Sequence, residues 1–164
     1  MGTINYESLI DKAMFIIVKN SLETAEGGYF PGDHHFYITF LTNADGVIIS
    51  DRLKAKYPEE MTIVLQHQFK NLNVTNEGFS VTLSFNSIPE SLTIPYESLL
   101  SFADPSSKFG LQFKNNLKKF NQNNHEKKTF SSYALETPSI DHSVEQNKNN
   151  VISFDVARRK ISDS

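Results

Sequence analysis

The chain has no cysteine among its 164 residues. That excludes disulfides, thiolate nucleophiles and cysteine-based zinc sites, and it accords with a reducing compartment. No stretch approaches the roughly 20 consecutive apolar residues that a bilayer-spanning helix needs. The opening Met1-Gly2-Thr3-Ile4-Asn5-Tyr6-Glu7 lacks the basic-then-apolar order of a signal peptide. Tyr6 stands where a myristoylation signal requires Ser or Thr. A soluble cytoplasmic protein with no membrane partner is therefore expected. G-x-S-x-G, the Walker loop and G-x-G-x-x-G are missing too.

The residues that could still carry chemistry are sparse. Glu59 and Glu60 are adjacent carboxylates in a turn-like stretch, with nothing nearby to split their pKa values. His34 and His35 are neighbours, and neighbours on a strand point to opposite faces, so they do not chelate one metal together. Asp33 shares a face with His35, but two ligands are too few. His125 and His142 fall in a polar stretch. No catalytic residue, metal site or cofactor is expected.

Charge is unevenly placed. Residues 1–113 hold seven Lys/Arg and thirteen Asp/Glu, a net −6; residues 114–164 hold nine and six, a net +3. An acidic body argues against phosphate-backbone binding as its main task and against a nucleic-acid partner.

The spacing predicts a helix over residues 5–22. Tyr6, Leu9, Ile10, Ala13, Met14, Ile16, Ile17, Val18 and Leu22 recur at helical intervals. This stripe is wider than one buried face requires, so the helix either packs on the core alone or also pairs with a second subunit. Four β segments follow: 34–42, with Phe36, Ile38 and Phe40 on one face; 61–69, with Ile63, Leu65, His67 and Phe69 on one face; 78–85, the cleanest alternation; and 91–96, after a turn over 86–90. Pro95 ends the last or places it at an edge. A short helix over 96–103 and a final strand or turn over 108–113 complete the body. His67 reads as a half-buried, hydrogen-bonded core histidine or as a contact to a bound partner. Gln66 and Gln68, on the wetter face, suit peptide recognition equally with an ordinary solvated sheet. From Lys114 to Asn150 the composition is polar, the pattern of a disordered linker, apart from one helical turn suggested by 117–120. The end, Asn150–Ser164, then mixes Val151, Ile152, Phe154, Val156 and Ile161 with Arg158, Arg159 and Lys160.

The stretches HHFYITF, YPEEMTIVLQHQF, FSVTLSF, IPESLTIPYESLLSFADPSSKFGLQF and VISFDVARRK resemble the SspB (stringent starvation protein B) adaptors, in particular their alphaproteobacterial branch. The resemblance covers most of residues 34–113, in the same order, and the tail end. It implies an α+β fold: an N-terminal helix, then a small antiparallel β-sandwich or open barrel of Sm-like, SH3-related type, then a disordered tail. It implies a homodimer joined through the leading helix, by Leu9, Ile10, Ala13, Met14 and Ile17.

The function so implied is delivery to the ClpXP protease without catalysis. Residues 1–113 would bind the ssrA tag peptide through Val64, Leu65, Gln66, His67, Gln68, Thr82, Leu83, Ser84 and Phe85, with Phe85 and Leu83 also suited to the core. Residues 114–150 would be the linker. Residues 151–164 would dock on the N-terminal domain of ClpX through Val151, Ile152, Phe154, Arg158, Arg159 and Lys160. Many relatives carry Gly-Gly where this chain has Asn86-Ser87. An Sm-like RNA-binding module with a disordered tail is the competing reading, disfavoured by the −6 charge of the body.

Overall fold

The computed structural model describes residues 2–123. The N-terminal helix α1 spans Tyr6–Glu23, and its first turn is capped where Asn5 Oδ1 accepts from the Ser8 amide at 3.0 Å. Strand β1 (Phe36–Leu41), helix α2 (Asp51–Lys56) and strands β2 (Glu60–Leu65), β3 (Phe69–Val74), β4 (Gly78–Phe85), β5 (Ile88–Pro95), β6 (Leu99–Asp104) and β7 (Phe109–Gln112) follow, and α3 (Lys114–Asn123) closes the described chain. The strands form two antiparallel sheets, in the orders β2-β1-β6-β7 and β3-β4-β5. The class is α+β, as expected.

Alternation puts one face of each strand inward. Ile38, Phe40, Met61, Ile63, Leu65, Val81, Leu83, Leu92, Ile94 and Phe102 are buried between the layers, and apolar area removed from water is the main stabilising term. α1 lies on this core by Asp11, Val18 and Leu22, with Phe15 stacked on Phe113 at 5.0 Å between ring centres.

Three departures from the sequence pattern have clear causes. The strand expected over 61–69 is two strands. Leu65 pairs with Phe36 in one sheet and Phe69 pairs with Leu83 in the other, so residues 66–68 form a bend that steps between layers. The inward alternation of Leu65 and Phe69 spans the step and hides it. Next, the expected 96–103 helix is a single 3-10 turn over Tyr96–Ser98 followed by β6, which pairs along the middle of β1. Short apolar runs do not distinguish helix from strand by themselves. Finally, the turn expected over 86–90 is only Asn86-Ser87. Both residues have positive φ, 52° and 64°, and Phe85 pairs directly with Ile88, the geometry of a tight two-residue hairpin.

The polar segment expected to begin a linker at Lys114 starts with α3. Phe113, fully buried, ties the helix to the core. Asn116 donates through Nδ2 to the carbonyls of Glu97 (2.7 Å) and Leu99 (2.8 Å). Asp11 lies beside Asn115, in the first turn of α3. Burial is the largest influence on Asp11 and, with the charge of Glu7, pushes its carboxyl up; Asn115 and Lys114 pull the other way. Glu7 and Lys118 meet at 2.7 Å on the surface. Contacts 7–118, 11–115 and 15–113 run α3 antiparallel to α1.

Replacing Asn116 by Leu leaves two inward carbonyls without a donor and should cost roughly 2 kcal/mol, read as a lower urea midpoint for the full chain. Ser87→Gly should act in the opposite direction. It relieves a side chain held at positive φ, raising stability by about 1 kcal/mol and the thermal midpoint by several degrees.

Candidate functional site: the inter-sheet bend and its neighbours

Gln66, His67 and Gln68 are all exposed. They project from the bend between two fully anchored residues, since Leu65 is 0% and Phe69 4% exposed. His67 is therefore not the half-buried core histidine of one reading; its side chain lies in the step, outside both ladders. Gln66 and Gln68 likewise belong to the bend and to no sheet face.

The other residues expected to contact a peptide divide by orientation. Val64 is half-buried on the outer face of β2, opposite Tyr37. Thr82 and Ser84 are half-buried on the outer face of β4, and Thr82 stands opposite both Lys70 and Ser91. Asn71, at φ 53° where the β3–β4 register slips, donates to Thr82 Oγ1 at 3.4 Å. Leu65, Leu83 and Phe85 point inward at 0%, 1% and 4% exposure. Their side chains are core, the alternative the alternation already offered for Leu83 and Phe85. The bend thus joins two outer surfaces, one carrying Val64 and the other Thr82 and Ser84.

Around the bend, aromatic rings lock the layers. Phe30 meets Phe36 at 4.6 Å and Phe69 at 5.3 Å, and Phe36 meets Phe102 at 4.8 Å. Because β1 and β2 are antiparallel with Phe36 opposite Leu65, residues 34–35 run in beside the outgoing bend at the same end of the sheet.

That end also carries a polar cluster that sequence reasoning passed over. His34 Nδ1 lies 2.7 Å from Asp104 Oδ2; Ser106 donates to Asp104 Oδ1 at 2.6 Å and Ser107 to Oδ2 at 3.1 Å. Burial pushes the Asp104 carboxyl up, but the bonds from Ser106, His34 and Ser107 and the His34 charge outweigh it, leaving the group below the ordinary Asp range. His34 and Asp104 are seventy residues apart, so no local motif announced them. Beside the cluster lies a cavity of about 300 Å³, walled by Phe30, Pro31, Phe36, Phe102 and Phe109 and edged by Ser21, Thr24, His34, Asp104 and Ser107.

Helix α1 presents a second face. Tyr6, Leu9, Ile10, Ile16 and Ile17 are 66%, 52%, 58%, 60% and 42% exposed, and Ala13 is exposed among them. Of the five residues expected at a subunit interface, Leu9, Ile10, Ala13 and Ile17 share this face, whereas Met14 is half-buried against the core. The expected docking residues Val151, Ile152, Phe154, Arg158, Arg159 and Lys160 lie outside the described residues. Among the described residues no cluster of three or more His, Asp or Glu could hold a metal, and no helix is long and apolar enough to cross a membrane.

Asp104 is depressed in the folded state, so its contribution is complete above the unfolded Asp value and is lost as pH falls through the folded one. Urea midpoints should decline as pH drops below about 4. Asp104→Asn should be less stable at neutral pH and show a shallower acid decline over the same range.

A family model described as Stringent starvation protein B matches residues 8–156. No curated protein matches the chain.

Proposed function

The chain belongs to the stringent starvation protein B family, and from that premise we propose that it is a bacterial cytoplasmic adaptor that binds ssrA-type tag peptides and carries tagged proteins to ClpX for degradation by ClpXP. It is a binding protein on this reading and catalyses nothing. The observation that carries the proposal is the exposed Gln66-His67-Gln68 bend, held between Leu65 and Phe69. Two amide side chains and an imidazole offer donors and acceptors to an extended backbone, and the inner anchors let them do so without disturbing the core. Val64, Thr82 and Ser84 flank the bend on the two outer surfaces. Leu65, Leu83 and Phe85 support the site from below.

Two further surfaces fit the same task. The exposed apolar face of α1 suits a homodimer: Leu9, Ile10, Ala13 and Ile17, joined by Tyr6 and Ile16, form a strip that water would otherwise meet. Residues 1–113 serve tag binding and dimerisation, with α3 added to the same unit, and 151–164 serve docking on the ClpX N-terminal domain, with Val151, Ile152 and Phe154 as apolar anchors and Arg158, Arg159 and Lys160 adding charge. Tethering turns two modest contacts into one effective one, because each raises the local concentration for the other.

The test is fluorescence anisotropy with a labelled ssrA peptide, paired with a ClpXP degradation assay. Removal of 151–164 should leave peptide binding unchanged and abolish accelerated degradation. The double change Gln66→Ala, Gln68→Ala should weaken peptide binding about tenfold, on the scale of one or two lost hydrogen bonds, with the fold intact. Ile10→Asp should convert the dimer to monomer in sedimentation. Absence of peptide binding by the full chain would falsify the reading, and salt-sensitive binding of RNA in its place would favour the Sm-like alternative.

A further inference from the structure

We propose that the free edge of β7 is completed by this chain's own tail: residues 152–156 add to it as a further strand, with Ile152, Phe154 and Val156 turned inward. The contact stands on the fold and the sequence pattern. Its consequence for delivery rests on the adaptor reading, because Ile152 and Phe154 are also expected docking residues for ClpX.

The sheet β2-β1-β6-β7 has two edges, and they differ. On β2 the inward residues Met61, Ile63 and Leu65 are 1%, 0% and 0% exposed. On β7, Leu111 stands opposite the core residue Phe102, so Leu111 and Phe109, two residues apart, share the inward face. Yet Leu111 is only half-buried and Phe109 is 38% exposed. Among the described residues β7 pairs with β6 alone. Burial therefore runs out where a next strand would lie, and an open strand edge is a template for one.

The tail has the matching pattern. Ile152, Phe154 and Val156 alternate with Ser153 and Asp155, the period of a strand with one apolar and one polar face. Laid along β7, the apolar set covers Phe109 and Leu111, and the polar set meets water. Charge agrees. Arg158, Arg159 and Lys160 follow the strand directly, and the body to which they return carries a net −6.

Reach agrees too. Helix α3 starts at Lys114, just past β7, and its ten residues are about 15 Å long. Phe154 stands about thirty residues beyond the end of α3, and a chain of that length spans roughly 30 Å. The tail can thus return to β7 with chain to spare. A tether of this kind holds its end near the edge at about millimolar effective concentration. A strand contact too weak to form between separate molecules is then mostly closed within one, and it opens to a competitor for the same residues. On the delivery reading, ClpX takes Ile152 and Phe154 from β7.

Amide hydrogen exchange of the full-length protein, read by NMR, tests the contact. Amides of 152–156 should exchange about tenfold slower than in full-length Phe154→Asp, which puts a charge on the inward side. Those amides of Phe109–Gln112 that point away from β6 should speed up by a similar factor in the same variant. Ser153→Gln, on the outward side, should retain the protection, and added ClpX N-terminal domain should remove it. Amides of 152–156 that exchange as fast in the native chain as in Phe154→Asp overturn the added strand, and so does a Ser153→Gln change as damaging as Phe154→Asp. Protection that disappears on dilution assigns the strand to a second copy and overturns the intramolecular contact. If the ClpX domain binds and the protection persists, the shared use of Ile152 and Phe154 is overturned and the strand stands. If the ClpX domain does not bind, the docking reading fails, and the exchange comparison still decides the strand.

Discussion

The chain passes from one sheet to the other between β2 and β3 and returns between β5 and β6, and the aromatic contacts at the first of these crossings set the rest of the structure. Leu65 closes one ladder and Phe69 opens the next. Phe30, Phe36, Phe69 and Phe102 pack around the transition with neighbouring ring centres 4.6 to 5.3 Å apart, separations at which edge and tilted ring pairs are attractive. Phe30 comes from the connection between α1 and β1, so the same cluster also fixes the chain that carries His34. The register of both sheets, the position of the bend and the walls of the cavity descend from this one packing problem.

Helix α1 meets two different demands along one length. Asp11, Phe15, Val18 and Leu22 follow each other at intervals of three and four and face the core and α3; Tyr6, Leu9, Ile10, Ala13, Ile16 and Ile17 do the same on the other side. The width of the stripe was visible in the sequence, and its division into an inward and an outward half was not. Phe15 had no place in the sequence stripe, yet it stacks on both Phe113 and Tyr96. Tyr96 in turn donates to the Thr75 carbonyl at 2.8 Å, and its phenol is pushed up to about 12, by burial first and then by Glu23, Glu26 and Glu77. Phe15 stands at helical spacing from Val18 and Leu22, but the two distant rings that hold it are invisible in the local sequence.

β4 was clear because Phe79, Val81, Leu83 and Phe85 alternate with small polar residues and the strand lies in the middle of its sheet. The break after Leu65 was hidden because the inward period continued through it. α3 was hidden for a different reason. Asn, Lys and Gln dominate it, and composition says nothing of an Asn116 amide that spans two backbone carbonyls. Gln66, His67 and Gln68 were picked out from their residue types and from the family resemblance, and the structure changes their setting from a strand to a bend. His34 and Asp104 needed the fold itself, since the sheet alone brings residues seventy positions apart into contact.

The bend has an evolutionary corollary. Folding depends on Leu65 and Phe69, which are buried, and three consecutive side chains between them touch neither ladder. On the proposed function, stability and recognition fall to different residues of one continuous segment. On that reading, substitutions at 66–68 would retune which peptides are held while the two anchors keep the architecture constant, so specificity could drift or be selected here at little thermodynamic risk. A strand running unbroken through those positions would have bound every such change to the packing of both sheets.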